Sequence, residues 1–93
     1  MKLLNLFEVE PEIYPQGTLL ITYENLVKKL GAPTLIETGA FAAYWLVESD
    51  DEIVFSICCF EPEIPYHLFE WVVEAKTPED YDTVLTYFKK EED

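Results

Sequence analysis

The stretch of residues 41–60, FAAYWLVESDDEIVFSICCF, most constrains what this chain can fold into. It consists of two apolar runs, rich in aromatic and β-branched residues, on either side of the polar cluster Ser49-Asp50-Asp51-Glu52. Two such runs divided by a short polar turn are typical of a β-hairpin. Both faces of each run are largely apolar, so we expect two central strands, over residues 41–48 and 52–60.

Alternating apolar and polar positions predict another strand over residues 67–76. Successive side chains of a strand point to opposite faces. The alternation therefore gives two sets, with Phe69, Trp71, Val73 and Ala75 inside and Leu68, Glu70, Val72, Glu74 and Lys76 outside. Residues 17–21 predict a further short strand. Residues 1–16 predict an edge strand or an arm, because prolines interrupt them.

Two helices are predicted from their ends. Thr22 is a suitable N-cap for a helix over residues 23–30, and Gly31 suits a left-handed C-terminal cap. Apolar residues inside this segment recur at the spacing of one helical face. Thr77 followed by Pro78 and two acidic residues predicts the start of a second helix.

The predicted order is strand, helix, hairpin, strand, helix. This order indicates an α+β fold, a two-layer sandwich in which an antiparallel sheet of about four strands carries two helices on one face. The length of 93 residues fits a single domain over residues 1–93, with a frayed tail at 91–93. We expect the helices to cover the Trp71 face and to leave the opposite face open.

The charge is the most unusual property of the composition. Nineteen Asp and Glu residues stand against six Lys and no Arg, which gives a formal net charge of −13. Contacts to nucleic-acid phosphates require cations, so direct nucleic-acid binding is not expected, and neither is binding to an anionic membrane. The expected partner is a basic protein surface, including one that normally binds DNA or RNA. The alternative is that the acidity only maintains solubility.

Cys58 and Cys59 are adjacent in a predicted strand, where their side chains point to opposite faces. We therefore expect free thiols and a reducing compartment. No segment is long enough to span a membrane, and the N-terminus does not resemble a signal peptide. These features predict a cytoplasmic protein.

The sequence predicts no metal, no cofactor and no enzymatic activity. His67 with Cys58 and Cys59 lacks the ligand spacing of a zinc site, and the acidic turn lacks the glycine of a calcium loop. A Cys–His pair is conceivable across adjacent strands. However, the sequence places no cation or helix N-terminus to lower a thiol pKa.

Acidic residues mixed with aromatic residues form the remaining candidate site, a surface that binds a partner protein. Its predicted residues are Glu70 and Glu74 on the outer face, Asp50, Asp51 and Glu52 at the hairpin turn, and Tyr44. Glu48, Glu61 and Glu63 are expected to join the turn acids in one cluster, with Phe60 and Tyr66 among them. A solvated acidic surface without a partner is the alternative.

Three segments carry a resemblance: TYENLVKKLGAPT (22–34), AYWLVESDDEIVFSI (43–57) and WVVEAKTPEDYDTVLTYFKK (71–90). Together they resemble small acidic accessory proteins of tailed bacteriophages. This chain differs in having Tyr44 before the hairpin Trp and no glycine in the hairpin turn. The resemblance implies a phage gene product in a bacterial cytoplasm, similar in character to anti-CRISPR proteins and DNA mimics.

The sequence-based hypothesis is therefore a non-enzymatic inhibitor of a bacterial defence complex. It would bind a basic nucleic-acid-recognition surface through an acidic face. The alternative hypothesis is a phage structural or assembly module that forms a homodimer.

Overall fold

An antiparallel sheet built around the hairpin dominates the fold, seen in a computed structural model that describes residues 1–4, 12–36 and 42–89. Its elements in chain order are β1 (Lys2–Leu3), β2 (Tyr14–Ile21), α1 (Tyr23–Leu30), β3 (Leu35–Ile36), β4 (Ala43–Glu48), β5 (Val54–Cys59), β6 (Phe69–Ala75) and α2 (Pro78–Lys89). Within these residues the sheet has six strands in the order β1-β4-β5-β6-β2, and β3 also pairs with β4. The predicted α+β class is confirmed, whereas the prediction of about four strands is wrong.

The additional strands, β1 and β3, each have two residues and pair with opposite ends of β4. Between them, the backbone N–H of Leu46 donates to Thr34 Oγ1 at 3.2 Å, and the backbone N–H of Leu4 donates to Leu46 O at 2.8 Å. The edge of β4 is therefore paired along most of its length. β1 lies in residues 1–16, which were predicted as an edge strand or an arm. β3 was not predicted, because a strand of two residues carries no measurable alternation.

β2 is longer than the predicted strand over residues 17–21, because it begins at Tyr14 and runs through Pro15. Proline is tolerated at a sheet edge, where its missing N–H costs no ladder bond. A register shift between Pro15 and Gly17 absorbs one residue, and the Gln16 side chain donates from Nε2 to Ala75 O at 3.0 Å. The predicted arm therefore contributes to both edges of the sheet, and its residues 5–11 lie outside the described residues.

β4 ends at Glu48 as predicted, whereas β5 begins later than predicted because the turn occupies more residues. Glu52 N donates to Ser49 O at 2.9 Å, and Ser49 N donates to Ile53 O at 2.9 Å. Glu52 itself has a φ of 64°, in the left-handed region that favours glycine. The turn therefore lasts until Ile53, and β5 begins at Val54. Phe41, the predicted start of the first hairpin strand, lies outside the described residues.

α1 has the predicted bounds and the predicted caps. Thr22 Oγ1 accepts a hydrogen bond from Asn25 N at 3.1 Å, and Gly31 has a φ of 89° while its N–H donates to Val27 O at 2.8 Å. α2 begins at Pro78 as predicted. The Thr77 hydroxyl accepts from Asp80 N at 3.1 Å, which satisfies a backbone donor in the first turn. The predicted frayed tail at 91–93 lies beyond the described residues.

Two tryptophans lie at the centre of the main hydrophobic cluster. Trp45 from β4 and Trp71 from β6 are both 0% exposed, and their rings meet edge to face with centroids 5.5 Å apart. Both helices contribute to the same cluster, together with the predicted inner residues of β6, and its helical and β6 members include Leu26, Leu30, Val84, Phe88, Val73 and Ala75. The predicted inner set of β6 is thus confirmed as core.

A second, smaller cluster lies on the other side of the sheet. Tyr44, Leu46 and Cys58 form its buried part, and the residues packed against it are Leu4, Ile13, Leu35, Val54 and Val72. The predicted open face is therefore partly covered, because residues from the N-terminal part of the chain lie over it. Tyr44 is only 6% exposed, so its expected place among exposed acidic residues is wrong.

The packing of Gly17 against Tyr81 gives a first prediction. A Cβ on Gly17 would lie 2.5 Å from ring atoms of Tyr81, whose hydroxyl is fixed by donating to Thr18 O at 2.7 Å. Gly17→Ala should therefore lower the free energy of unfolding by about 1–3 kcal/mol, measured by urea denaturation. The double variant Gly17→Ala/Tyr81→Ala removes the clash and should cost less than the sum of the two single changes. Additive losses would contradict this packing.

The left-handed conformation of Glu52 gives a second prediction. Glycine adopts this conformation without the steric cost of a Cβ, so Glu52→Gly should raise the free energy of unfolding by up to about 1 kcal/mol. Asp50→Gly is the matched control, since Asp50 is in the same turn but has an ordinary negative φ. That control should be neutral or destabilising in the same urea titration. A loss of stability in Glu52→Gly would show that this turn does not hold residue 52 in the left-handed region.

Candidate interaction surface

The acidic residues predicted to form one cluster lie at opposite ends of the sheet. Asp50, Asp51 and Glu52 form the turn between β4 and β5, whereas Glu61 and Glu63 follow the far end of β5. A strand rises about 3.4 Å per residue, so the six residues of β5 separate the two groups by roughly 20 Å. The predicted single acidic cluster is therefore wrong, because the strand that joins its two parts also separates them.

The acids of the hairpin turn have structural partners. Asp50 Oδ1 lies 3.4 Å from the N-terminal ammonium of Met1, and Asp51 Oδ2 accepts from the Tyr87 hydroxyl at 3.0 Å. The pKa of Tyr87 is raised, mainly by burial. Its hydroxyl therefore stays protonated at neutral pH and can donate this hydrogen bond. Asp51 thereby connects the hairpin turn to α2. The turn acids remain predicted contact residues, but two of them already contact other parts of the chain.

The two predicted acids of β6 differ in their surroundings. Glu70 is exposed and lies opposite Leu20 of the edge strand. Glu74 is half-buried and accepts a 2.7 Å hydrogen bond from the hydroxyl of Ser56, which is 0% exposed. A buried hydroxyl requires such an acceptor. Glu74 therefore has an internal role, and Glu70 is the acid of this pair that is accessible to a partner.

The surroundings of the cysteines disfavour their nucleophilic form. Both are free and buried, and burial raises the pKa of Cys58 to about 12, with a smaller contribution from Glu74. Burial likewise raises the pKa of Cys59. The thiolate is the nucleophilic form of cysteine, and at neutral pH it is not populated here. His67 lies at the exposed end of the sheet with its ring 6.2 Å from that of Phe69.

Two further properties of the described residues concern metal binding and membranes. Among residues 1–4, 12–36 and 42–89, no group of three or more His, Cys, Asp and Glu could hold a metal ion. No helix in this part of the chain is long and apolar enough to cross a membrane.

The loop that joins β5 to β6 exposes several large apolar side chains. Phe60, Tyr66 and Leu68 are 56%, 78% and 57% exposed, although residues of this size are usually buried. Glu61 and Glu63 lie between them and are also exposed. We call these five residues the loop patch. Three of them, Glu61, Glu63 and Tyr66, line a concavity of about 380 Å³ whose lining also includes Pro62, Pro65 and His67.

The loop patch rests on the aromatic core. Ile64 in the middle of the loop is 8% exposed and belongs to the main cluster. The ring of Tyr66 meets that of Tyr23 edge-on at 5.5 Å, and Tyr23 in turn lies 5.8 Å from Trp45 and 6.4 Å from Trp71. These contacts fix the loop at its centre while its flanking side chains remain exposed.

Sequence reasoning identified this surface only in part. Phe60 and Tyr66 were predicted as exposed aromatics, whereas Leu68 was not assigned to this surface and Tyr44 was predicted as a contact residue. The sequence EPEIPY (61–66) indicates such an exposed loop. Its two prolines exclude regular strand pairing, so the neighbouring apolar residues are left in a loop. Tyr44 is instead buried in the second cluster, because it pairs with Cys58 on the covered face.

Comparisons with protein-family models, with curated proteins and with solved structures gave no significant match. The resemblance to bacteriophage accessory proteins therefore stays a prediction from the sequence.

The buried thiol of Cys58 gives a third prediction, on pH and stability. In the folded state burial raises the pKa of the Cys58 thiol to about 12, whereas in the unfolded state it has the ordinary thiol pKa of 9.0. Above pH 9 the unfolded state therefore binds fewer protons than the folded state, and stability falls as the pH rises. The loss should reach up to about 1.4 kcal/mol per pH unit for this group.

The measurement is urea denaturation of wild type and Cys58→Ala between pH 7 and pH 11. Stability of the wild type should decline from about pH 9, and the decline should be shallower in Cys58→Ala. Some slope should remain in the variant, because burial also raises the pKa of Cys59 and Tyr44. Equal slopes in the two proteins would show that Cys58 is not held as a buried thiol.

Proposed function

We propose that this protein is a non-enzymatic inhibitor that binds a basic protein surface through the loop patch. The observation that carries the proposal is the set of three exposed apolar side chains, Phe60, Tyr66 and Leu68, interleaved with Glu61 and Glu63. Apolar anchors surrounded by charged residues are typical of protein interfaces. As in the sequence-based hypothesis, the partner is a nucleic-acid-recognition surface of a bacterial defence complex.

The charge of the chain favours a basic partner. With a net charge of −13, the whole molecule attracts cationic surfaces and repels nucleic acids. Surfaces that bind DNA or RNA are rich in Lys and Arg, so they are the protein surfaces most complementary to this one. The carboxylates of Glu61 and Glu63 would occupy positions that the partner normally offers to phosphates. Long-range attraction would then raise the association rate, and the apolar side chains would slow dissociation.

The attachment of the loop to the core favours its use as a contact surface. Binding through a mobile loop costs conformational entropy for every side chain that becomes ordered. Here Ile64 is anchored in the core, and Tyr66 already contacts Tyr23. These two contacts reduce the conformational freedom that the loop backbone would lose on binding a partner.

We also infer that both helices cover the face of the sheet that carries Trp45 and Trp71. Residues of both helices belong to the same hydrophobic cluster as these tryptophans, which favours this layout. In such a sandwich the loop patch lies at the end of the sheet and is not covered by either helix. Glu70 would extend the acidic surface from the loop onto the outer face.

The fourth prediction tests this function by affinity capture from lysate of bacteria that carry intact defence systems. The tagged wild-type protein should retain a nucleic-acid-binding complex at about 0.1 M salt and lose it at about 1 M, because the screening length falls from about 10 Å to about 3 Å. The captured complex, once purified, should lose its nucleic acid when this protein is added. The variants Tyr66→Ala and Glu61→Gln/Glu63→Gln should each weaken capture about tenfold or more.

The matched control is Asp82→Asn, which removes one exposed acid from α2, outside the loop patch. This variant should capture the complex almost as well as wild type. Equal capture by wild type and the loop variants would remove the loop patch from the proposal. Capture of a partner that still binds its nucleic acid in the presence of this protein would contradict occlusion.

A homodimer is the second candidate, and the edge strand β2 favours it. In the described part of the chain, β2 has eight residues and pairs on one side with β6, so its other edge could accept a strand from a second copy. Repulsion between two chains of charge −13 opposes such an assembly. Light scattering over a range of protein concentrations distinguishes the candidates, since a dimer mass that persists on dilution favours self-assembly.

A further inference from the structure

The concavity in the loop patch brings carboxylates and aromatic rings to one place. It has a volume of about 380 Å³, and it is lined by one continuous stretch of chain, residues 61–67, together with Phe69. Two exposed glutamates, Glu61 and Glu63, belong to this lining, and Tyr66 adds a second aromatic ring to that of Phe69. A single loop therefore presents negative charge and ring surface to the same space.

Contacts to the core restrict both of these rings. Tyr66 is 78% exposed, yet its ring meets that of Tyr23 edge-on, with centroids 5.5 Å apart and planes at 75°. The ring of Phe69 meets that of the buried Trp71 edge to face, with centroids 5.7 Å apart. Tyr23 lies against Trp71 as well. The aromatic lining of the concavity is thus joined to the core at two points, and the exposed part of Tyr66 faces solvent.

This combination of groups matches the chemistry of a guanidinium group. A carboxylate can accept two parallel N–H bonds from a guanidinium, and the flat face of the guanidinium stacks on aromatic rings. The ammonium of lysine is a strongly hydrated point charge that lacks both the fork and the flat face. Carboxylates alone would attract both cations. The rings beside Glu61 and Glu63 favour the arginine side chain over that of lysine.

We propose that this concavity takes the guanidinium group of an arginine on the partner protein. The guanidinium would stack on Tyr66 and donate hydrogen bonds to Glu61 and Glu63. Arginine is enriched both among the residues that dominate protein interfaces and among those that hold phosphates, so a nucleic-acid-binding surface supplies it. This inference rests on the proposed function, because it names the group of the basic partner that the loop patch contacts.

The experiment titrates Nα-acetyl-arginine amide into the isotope-labelled full chain and follows the backbone amide signals by NMR. We expect saturable shifts that are largest at Glu61, Glu63 and Tyr66. Exposed ion pairs and cation–π contacts each contribute little, so the dissociation constant should be millimolar or weaker. Nα-acetyl-lysine amide should bind about threefold or more weakly. The corresponding derivative of citrulline, which has the shape of arginine without its charge, should cause no saturable shift at these residues.

Two variants separate the contribution of the ring from that of the charges. Tyr66→Leu keeps an apolar side chain without the ring, so it should weaken binding of the arginine derivative about threefold and reduce its advantage over the lysine derivative. Glu61→Gln/Glu63→Gln should weaken both derivatives about threefold or more. The matched control, Asp50→Asn/Glu52→Gln, removes two exposed acids from the hairpin turn and should leave binding within about twofold of wild type. Circular dichroism checks that each variant is folded.

Three results would overturn the arginine site. The first is equal binding of the arginine and lysine derivatives to the wild-type protein, a comparison that needs no variant. The second is an equal loss of binding in Glu61→Gln/Glu63→Gln and in the hairpin-turn control, which would leave general charge as the explanation. The third is a set of shifts spread over acidic residues throughout the chain.

The titration uses no partner, so its outcome is separable from that of affinity capture. Capture of a nucleic-acid-binding complex by a chain without localised arginine binding would overturn this inference and leave the proposed function standing. Localised arginine binding by a chain that captures no such complex would support the arginine site and contradict the proposed function.

Discussion

Two indole hydrogen bonds fix the position of α1, and the rest of the structure depends on them. Trp71 Nε1 donates to Ile21 O at 2.9 Å, just before the helix begins, and Trp45 Nε1 donates to Gly31 O at 3.0 Å, just after it ends. A buried Trp N–H requires an acceptor. Carbonyls at the C-terminal end of a helix lack an intrahelical donor, so the bond to Gly31 O satisfies a group on each side. Because the tryptophans come from β4 and β6, both ends of α1 are tied to the sheet.

This arrangement connects the core to the candidate surface. Tyr23, the first residue of α1, lies between the two tryptophans and Tyr66 of the loop patch. Any shift of α1 would move Tyr23 and with it the support of the loop. The loop patch is thus joined to the aromatic core through Tyr66 and Tyr23. A small chain with a thin core gains both stability and a defined surface from one aromatic cluster.

The sequence predicted the features that depend on local pattern. The bounds of α1 followed from Thr22 and Gly31, and the buried face of β6 followed from alternation around Trp71 and Val73. Features that depend on distant contacts were not predicted. The second cluster forms because Leu4 and Ile13 pack over Tyr44, and no periodicity near residues 4 or 13 indicates this. The separation of Glu61 from Asp51 could have been predicted from the sequence, since the predicted hairpin already placed a whole strand between them.

Carboxyl footprinting of the protein bound to its captured partner tests the central claim most directly. A carbodiimide labels exposed Asp and Glu side chains, so residues that a partner covers lose label relative to the free protein. We expect protection of Glu61, Glu63 and Glu70 with little change at Asp50 and Glu52. Protection of the hairpin turn with full labelling of Glu61 and Glu63 would contradict it and would place the contact surface at the opposite end of the sheet.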